Sequence, residues 1–247
     1  MPDANDALLE TVLREKRLYH VCQPLYELKA WRLFGYEVLL RSDLFDGPEP
    51  LFRTAMQADR LFELDTFSMF HAISAYDDYR RSKHAKWFVN VFPSTLVHPD
   101  FLPFLESIRG FAFPNKNVVI EVNEAERIAD MPELKNVISY VKTQLGFAVA
   151  LDDVGNGHAS LQAIVELEPD IVKLDRYFSS HLFGSKPKQS MVQMLARFCQ
   201  DSGIRLVLEG IEDPKDLATA KALGVHLGQG FLLGAPAPIG NVFYKGE

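Results

Sequence analysis

The chain has 247 residues, 47% of them hydrophobic, enough for one large domain and the usual length of a single α/β barrel. A net charge of −7 with 24% charged residues excludes the basic face that double-helical nucleic acid requires, and no apolar run approaches the roughly 20 residues of a membrane span. Cys22 and Cys199 stand far apart without CxxC spacing and read as buried thiols in a reducing compartment. The opening "MPDANDALLETVLREK" is charged where a secretory leader needs an apolar core, so a cytoplasmic location is expected.

The first element is a helix within residues 1–16, whose apolar residues recur at helical spacing. It is expected to pack under the body of the domain as a lid; passing a signal from a fused partner is the alternative. Two apolar runs follow, "LYHVCQPLYEL" and "RLFGYEVLL", with only a few residues around "LKAW" between them. A parallel crossover needs a dozen or more residues, so these two strands form an antiparallel hairpin. A long helical stretch, "PLFRTAMQADRLFELDTFSMFHAISAYDDYR", leads to the third run, "KWFVNVF", and then to "NVVIEV". The helix "ELKNVISYVKTQLG" ends on a glycine before "FAVALDD", which is followed by "DIVKLD". Helices at "QSMVQMLARFCQDSG" and "PKDLATAKALG" separate the last runs, "IRLVLEG" and "VHLGQGFLLG". Eight strands with helices between most of them give an α/β fold: a TIM-like (β/α)8 barrel whose first strand is antiparallel, formed by residues 1–247 as one domain.

In such barrels, side chains at the C-terminal ends of the strands face the active site. Taken in order these are Glu37, Asn90, Glu121, Asp152 with Asp153, Lys173, Glu209 and Gln229. A polar group at every strand end from the second to the eighth is not surface decoration. Five converging carboxylates cannot all ionise without compensation, and one lysine is too little positive charge. Carboxylate and amide oxygens suit hard divalent cations, Mg²⁺ or Mn²⁺. The adjacent aspartates invite a role between two ions, which together clamp a phosphate and activate water. The seven histidines show no HExxH-like spacing, which argues against a histidine-based zinc site. "DDVGNGHASL" after the fifth strand, and the glycines around Gln229 in "GQGFLLGAP", allow close backbone approach to a ligand.

With these residues in place, the chain resembles the EAL domain of bacterial cyclic di-GMP phosphodiesterases over nearly all its length. The resemblance is carried by Glu37 in "EVLLR", Asn90 in "FVNVFPSTL", Glu121 and Glu124 in "IEVNEAE", "LDDVGNGHASL", Lys173 in "DIVKLD", Glu209 in "VLEGIED" and Gln229 in "GQGFLLGAP". It implies hydrolysis of cyclic di-GMP to the linear dinucleotide. Glu37, Asn90, Glu121 and Asp152 look like ligands of one metal, with Asp152 bridging to a second that Asp153 supports. Lys173 is similar to the lysine that polarises the attacking water, and Glu209 to a carboxylate that contacts a metal-bound water or accepts its proton. Gln23, Arg41 and Gln229 look like substrate contacts, Arg41 on phosphate. Glu124 resembles the glutamate that braces the glycine loop and couples it to dimerisation, so a homodimer is implied as well.

The chain departs from the family at Val38 and Ser42, and at Val154, Asn156, His158 and Ala159 in the glycine loop. None of these removes a metal ligand or the lysine. The competing function is a catalytically inactive cyclic di-GMP receptor that docks a partner protein. An enolase-like proton abstraction fits the asparagine and the paired aspartates poorly. A Schiff-base role for Lys173 conflicts with the carboxylates around it, which keep its amine protonated.

Overall fold

A computed structural model describes residues 4–78, 85–108, 117–123, 126, 128–155 and 161–239. Helix α1 (Ala4–Glu15) precedes an antiparallel hairpin of β1 (Leu18–Glu27) and β2 (Arg32–Ser42). Two helices, α2 (Pro48–Gln57) and α3 (Leu61–Asp78), lead to β3 (Lys86–Val91). Then come α4 (Pro93–Leu96), α5 (Phe101–Ile108), β4 (Val118–Val122), α6 (Met131–Tyr140), β5 (Ala148–Val154) and α7 (Leu161–Leu167). β6 (Ile171–Leu174) is followed by α8 (Arg176–Ser179) and α9 (Lys186–Asp201), and β7 (Arg205–Leu208) by α10 (Pro214–Ala222). Two short strands, β8 (Leu227–Gly228) and β9 (Ala237–Pro238), complete the set.

The sheet order β2-β3-β4-β5-β6-β7-β8-β1, with β1 also paired to β2, closes a barrel. Strands β2 to β8 run parallel, and β1 lies antiparallel to both of its neighbours, as the short "LKAW" connection requires. Beyond the two residues that pair with β8, β9 takes over the same edge of β1. Strands β3 to β7 read as nearly continuous apolar runs because helices cover one face and the barrel interior covers the other. Cys22 and Cys199 are both buried, and burial pushes their thiols up to about 12 and about 11.

Three local departures from the sequence reading have clear physical causes. The helical stretch over residues 50–80 is broken after Ala58, where Asp59 takes a left-handed conformation (φ 54°). Arg60 restarts the chain there, bonding Glu63 and reaching Glu10 of α1 at 2.7 Å. The eighth strand shrinks to two residues, because the glycine-rich segment beyond it folds back onto Ile211: Ile211 N donates to Gln229 O at 2.9 Å. Helix α1 does not lie under the barrel. Its Leu9, Val12 and Leu13 pack with Leu51 and Ala55 of α2, Leu64 of α3 and Leu40 on the outer face of β2.

Candidate active site

Residues i and i+2 of a strand point to the same face. Inside the barrel a dry layer is built from Leu25, Phe88, Val119, Ala150, Ile171, Val207 and Leu227, with Phe34 against it. Two residues further along, the same strands present Asn90, Glu121, Asp152, Lys173, Glu209 and Gln229. On β2 the pairing shifts between Leu33 and Gly35, so the step from Phe34 to the next inward polar group, Glu37, is three residues. Strand β1 runs backwards, which puts Gln23, two residues before Leu25, opposite Glu37. The polar layer is the next turn of the same pleat.

Consecutive strand residues normally face opposite ways, so Asp152 and Asp153 need a special device to converge. The β5–β6 register jumps between Leu151 and Val154, and Asp153 adopts a left-handed backbone (φ 52°). That conformation is uncommon outside glycine, although aspartate tolerates it better than most residues. Gln229 depends on a close approach of a different kind. Gly230 (φ 154°) passes so near Ile211 that a Cβ would lie 2.2 Å from its backbone nitrogen.

Lys173 is fully buried at the centre of the cluster. Its Nζ is hydrogen-bonded to Glu121 and lies 2.7 Å from Glu209, 2.9 Å from Asp152 and 3.4 Å from Glu37. Burial alone lowers a lysine, but Asp152, Glu121, Glu209 and Glu37 together outweigh it and hold the ammonium well above its usual range. The carboxylates show the opposite stress. Burial raises Glu121 and Glu209 well above the ordinary range, against the pull of Lys173, and neighbouring carboxylates add to the rise. Asp153 is pushed up to about 6 by burial and then by Asp152. One ammonium faces four carboxylates, so the cluster is short of positive charge.

The polar layer also holds unsatisfied acceptors. Among the described residues, Glu121 Oε2, Asp152 Oδ1 and Gln229 Oε1 find no hydrogen-bond partner although they are buried; Asp152 Oδ1 sits at ion-pair distance from Lys173 but is not aligned for a hydrogen bond. Two groups offer ligand oxygens within 4.8 Å of one another: Glu37, Glu121 and Glu209, and Asp152, Asp153 and Glu209. The donors are all oxygen, the charge deficit is positive, and buried acceptors stand open. These residues fit hard divalent cations. Glu209 is the carboxylate common to both groups, and Asp152 belongs to one of them.

The remaining polar residues are placed as follows. Asn90 donates to Glu37 Oε1 at 3.2 Å, and Gln229 donates to Glu37 Oε2 at 2.5 Å and to Gln23 Oε1 at 3.0 Å. Gln23 in turn donates to the Gly234 carbonyl at 3.1 Å. Arg41 continues the Glu37 and Leu39 face toward the rim, where its Nη1 donates to the Leu40 carbonyl at 2.7 Å. Glu124 lies outside the described residues, as does the glycine loop from Asn156 to Ser160 with His158 and Ala159.

Two hollows flank Glu37 and Leu39, which line both. One, of about 270 Å³, is lined by Gln23, Asp153, Arg176, Glu209, Glu212, Gln229 and Phe231 among others. The other, of about 550 Å³, is lined by Glu49, Phe52, Arg53, Asn90, Phe92 and Asp152 among others. The sequence reading missed Arg176, Glu212, Glu49 and Arg53. Arg176 and Glu212 stand three residues beyond Lys173 and Glu209, a readable signal, whereas Glu49 and Arg53 sit on α2 with no strand to announce them.

A mixed barrel with an oxygen-rich, lysine-centred mouth defines the class of the protein. Residues 5–236 match the EAL domain, and the chain belongs to that family. It is 27% identical over 238 residues to a protein of Pseudomonas aeruginosa named cyclic di-GMP phosphodiesterase PA2567, covering 93% of this chain and 40% of that protein. It is 24% identical to the Escherichia coli blue light- and temperature-regulated antirepressor BluF, covering 85% of this chain and 52% of that protein. The chain therefore spans between two fifths and about half of these curated relatives. Among solved structures, the manganese and cyclic di-GMP complex of Klebsiella pneumoniae BlrP1 superposes with a TM-score of 0.80 at 28% identity, covering 90% of this chain and 56% of that one.

Proposed function

We propose that this chain hydrolyses one phosphodiester of cyclic di-GMP, giving linear 5′-pGpG and lowering the level of that messenger. The observation that carries the reading is the buried Lys173 ringed by Glu37, Glu121, Asp152 and Glu209 with positive charge still lacking. Relatives and a structural neighbour named for cyclic di-GMP support the choice of substrate. Glu37, Asn90, Glu121 and Asp152 would hold one Mg²⁺ or Mn²⁺ ion, and Asp152 and Asp153 would hold a second, with Glu209 within ligand reach of both groups. When bound, such ions supply Lewis acidity toward a phosphate oxygen and make water acidic.

The rest falls to the chain's own groups. Lys173, protonated throughout the useful pH range, donates to the attacking water and fixes its direction. Glu209 accepts the proton that this water releases. The P–O3′ bond breaks as the new P–O bond forms, and the departing O3′ takes up a proton from solvent, leaving a 5′-phosphate and a 3′-hydroxyl. Arg41, Gln23 and Gln229 grip the substrate. The chain acts as a homodimer, a reading supported by the exposed Leu161 and Val165 on α7 and Met191, Met194 and Phe198 on α9.

A second reading, a receptor that binds without turnover and docks a partner protein, draws support from the antirepressor among the relatives. Hydrolysis of cyclic di-GMP in Mg²⁺ or Mn²⁺, followed by chromatography of the products, separates the two. Appearance of pGpG supports the enzyme; tight binding with no product in either metal supports the receptor. Ca²⁺, larger and looser in its coordination, is expected to support binding without turnover.

A further inference from the structure

The barrel has a second polar end. Arg205 and Glu27 lie two residues from Val207 and Leu25, across the dry layer from Glu209 and Gln23. They border a hollow of about 670 Å³ at the floor, with Lys29 of the β1–β2 turn, Gln200 of α9, Lys221 of α10 and His226. The hollows at the mouth hold more carboxylates than cations, whereas this one holds three permanent cations and one carboxylate. Arg32 already engages that carboxylate, Glu27, at 2.6 Å. Among the described residues no carboxylate pairs with Lys29, Arg205 or Lys221. In a chain of net charge −7 this is a local reversal of sign. Lys221 has an ordinary explanation in the last turn of α10, but that leaves Arg205 and Lys29 unaccounted for.

Two of the cations are held in place by aromatic rings. Arg205 lies over the Phe34 ring at 5.0 Å and Lys221 over the Trp31 ring at 5.1 Å. Each such contact is worth about 0.5–1 kcal/mol at an exposed site. Trp31 is half exposed, stacks on Tyr26 and takes a left-handed backbone (φ 52°), which is rare for a bulky residue. His226 adds a donor. Its Nδ1 accepts the Leu206 N–H at 3.0 Å, which places the ring proton on Nε2. Burial, and then Arg205, hold this imidazole below its usual range, so the ring is neutral. Phosphoryl oxygens match both the guanidinium fork and the ammonium groups. One phosphate monoester brings about two charges at neutral pH, fewer than three cations can neutralise. Two linked phosphoryl groups make up the difference. The concave shape admits a small molecule but neither a nucleic-acid duplex nor a bilayer surface.

We infer that the floor hollow is a binding site for a small molecule carrying a diphosphate group, held by Lys29, Arg205, Lys221 and the Nε2–H of His226. It is separate from the carboxylate centre, because Leu25, Val207 and Leu227 of the dry layer stand between the two. Binding at the floor is independent of what the mouth hydrolyses.

The test is calorimetric titration of the full chain with pyrophosphate, orthophosphate and sulfate, in EDTA so that no metal recruits an anion to the mouth. Pyrophosphate is expected to occupy a single site, about tenfold or more tighter than either single anion, and to weaken with added salt. Arg205→Gln, Lys221→Gln and Lys29→Gln should each weaken it about five- to thirtyfold, and Arg205→Lys should recover part of the loss. Arg53→Gln, at the mouth, should leave it within about twofold. Pyrophosphate should also change the fluorescence of the exposed Trp31, and Trp31→Phe should remove that change while keeping a ring beneath Lys221. The three cations are exposed, so thermal midpoints of their variants should match the parent. No binding at millimolar pyrophosphate, or equal affinity for all three anions, would overturn the site. A loss in Arg53→Gln with none in the floor variants would overturn it as well.

Discussion

Along β3 to β7, Phe88, Val119, Ala150, Ile171 and Val207 form a dry layer, and Asn90, Glu121, Asp152, Lys173 and Glu209 lie two positions further on the same strands. The backbone that carries them is the same, yet the physics is opposite. Burying an aliphatic or aromatic side chain in the lower layer stabilises the fold by about 1.5–3 kcal/mol each. Each ionised carboxylate in the upper layer costs several kcal/mol unless fully paired, and one ammonium serves four of them. The lower layer holds the barrel shut, and the upper layer is held in place by it. A site of this kind is rigid because its support lies one pleat away.

The largest way to break the comparison is Lys173→Met. If the lysine directs the attacking water, hydrolysis should fall by roughly two or more decades while cyclic di-GMP affinity changes much less. Single-turnover assays beside calorimetric titration would show this, and equal losses in both would remove the role. Next comes the lower layer. Phe88→Ala should cost about 3–5 kcal/mol in urea unfolding, with turnover per folded molecule within about threefold of the parent. A large drop in turnover there would mean the layers are not separable.

A third test uses a buried carboxylate outside the barrel. Asp65 accepts the Phe92 backbone N–H at 2.8 Å, and burial pushes its carboxyl up to about 7 despite that bond. Because the folded value is raised, the stability from this group is full below the unfolded value of about 3.9 and is lost as pH rises to about 7. Relative to Asp65→Asn, which keeps an acceptor for Phe92, the parent should lose up to about 3–4 kcal/mol between pH 4 and pH 7. A flat difference across that range would count against a protonated Asp65. The smallest effect concerns metal. Saturation at about 100 times Kd should stabilise the parent by about 2.7 kcal/mol, and Glu37→Ala should lose most of that gain. An undiminished thermal shift in Glu37→Ala would put the ions elsewhere.

The strand-end residues were legible because the pleat has a fixed period and a polar residue at the end of an apolar run stands out. Asp152 and Asp153 were legible as a pair, but the bulge and left-handed backbone that let both converge were not, since nothing in "LDDVG" marks where the alternation fails. The eighth strand was over-read, because beyond Gly228 the segment "VHLGQGFLLG" turns back onto Ile211 and leaves Phe231 and Leu232 exposed instead of continuing the sheet pairing. The break after Ala58 was hidden in a stretch whose apolar residues keep helical spacing across it. Arg53 and Glu49 escaped for a different reason. A charged residue on a helix is normally solvated, and only the placement of α2 beside Glu37 brings these two to the mouth.

The reversal of β1 also changes where the polypeptide enters the barrel. In an all-parallel barrel the chain comes in at the floor, far from the chemistry. Here β1 starts at the open end and runs down, so the residues just before Leu18 are neighbours of the rim. Helix α1 accordingly shares its apolar seam with α2, through Leu9, Val12, Leu51 and Ala55, and α2 is the wall that carries Phe52 and Arg53. The doorway of the chain and one jamb of the cleft at the barrel mouth are the same piece of architecture.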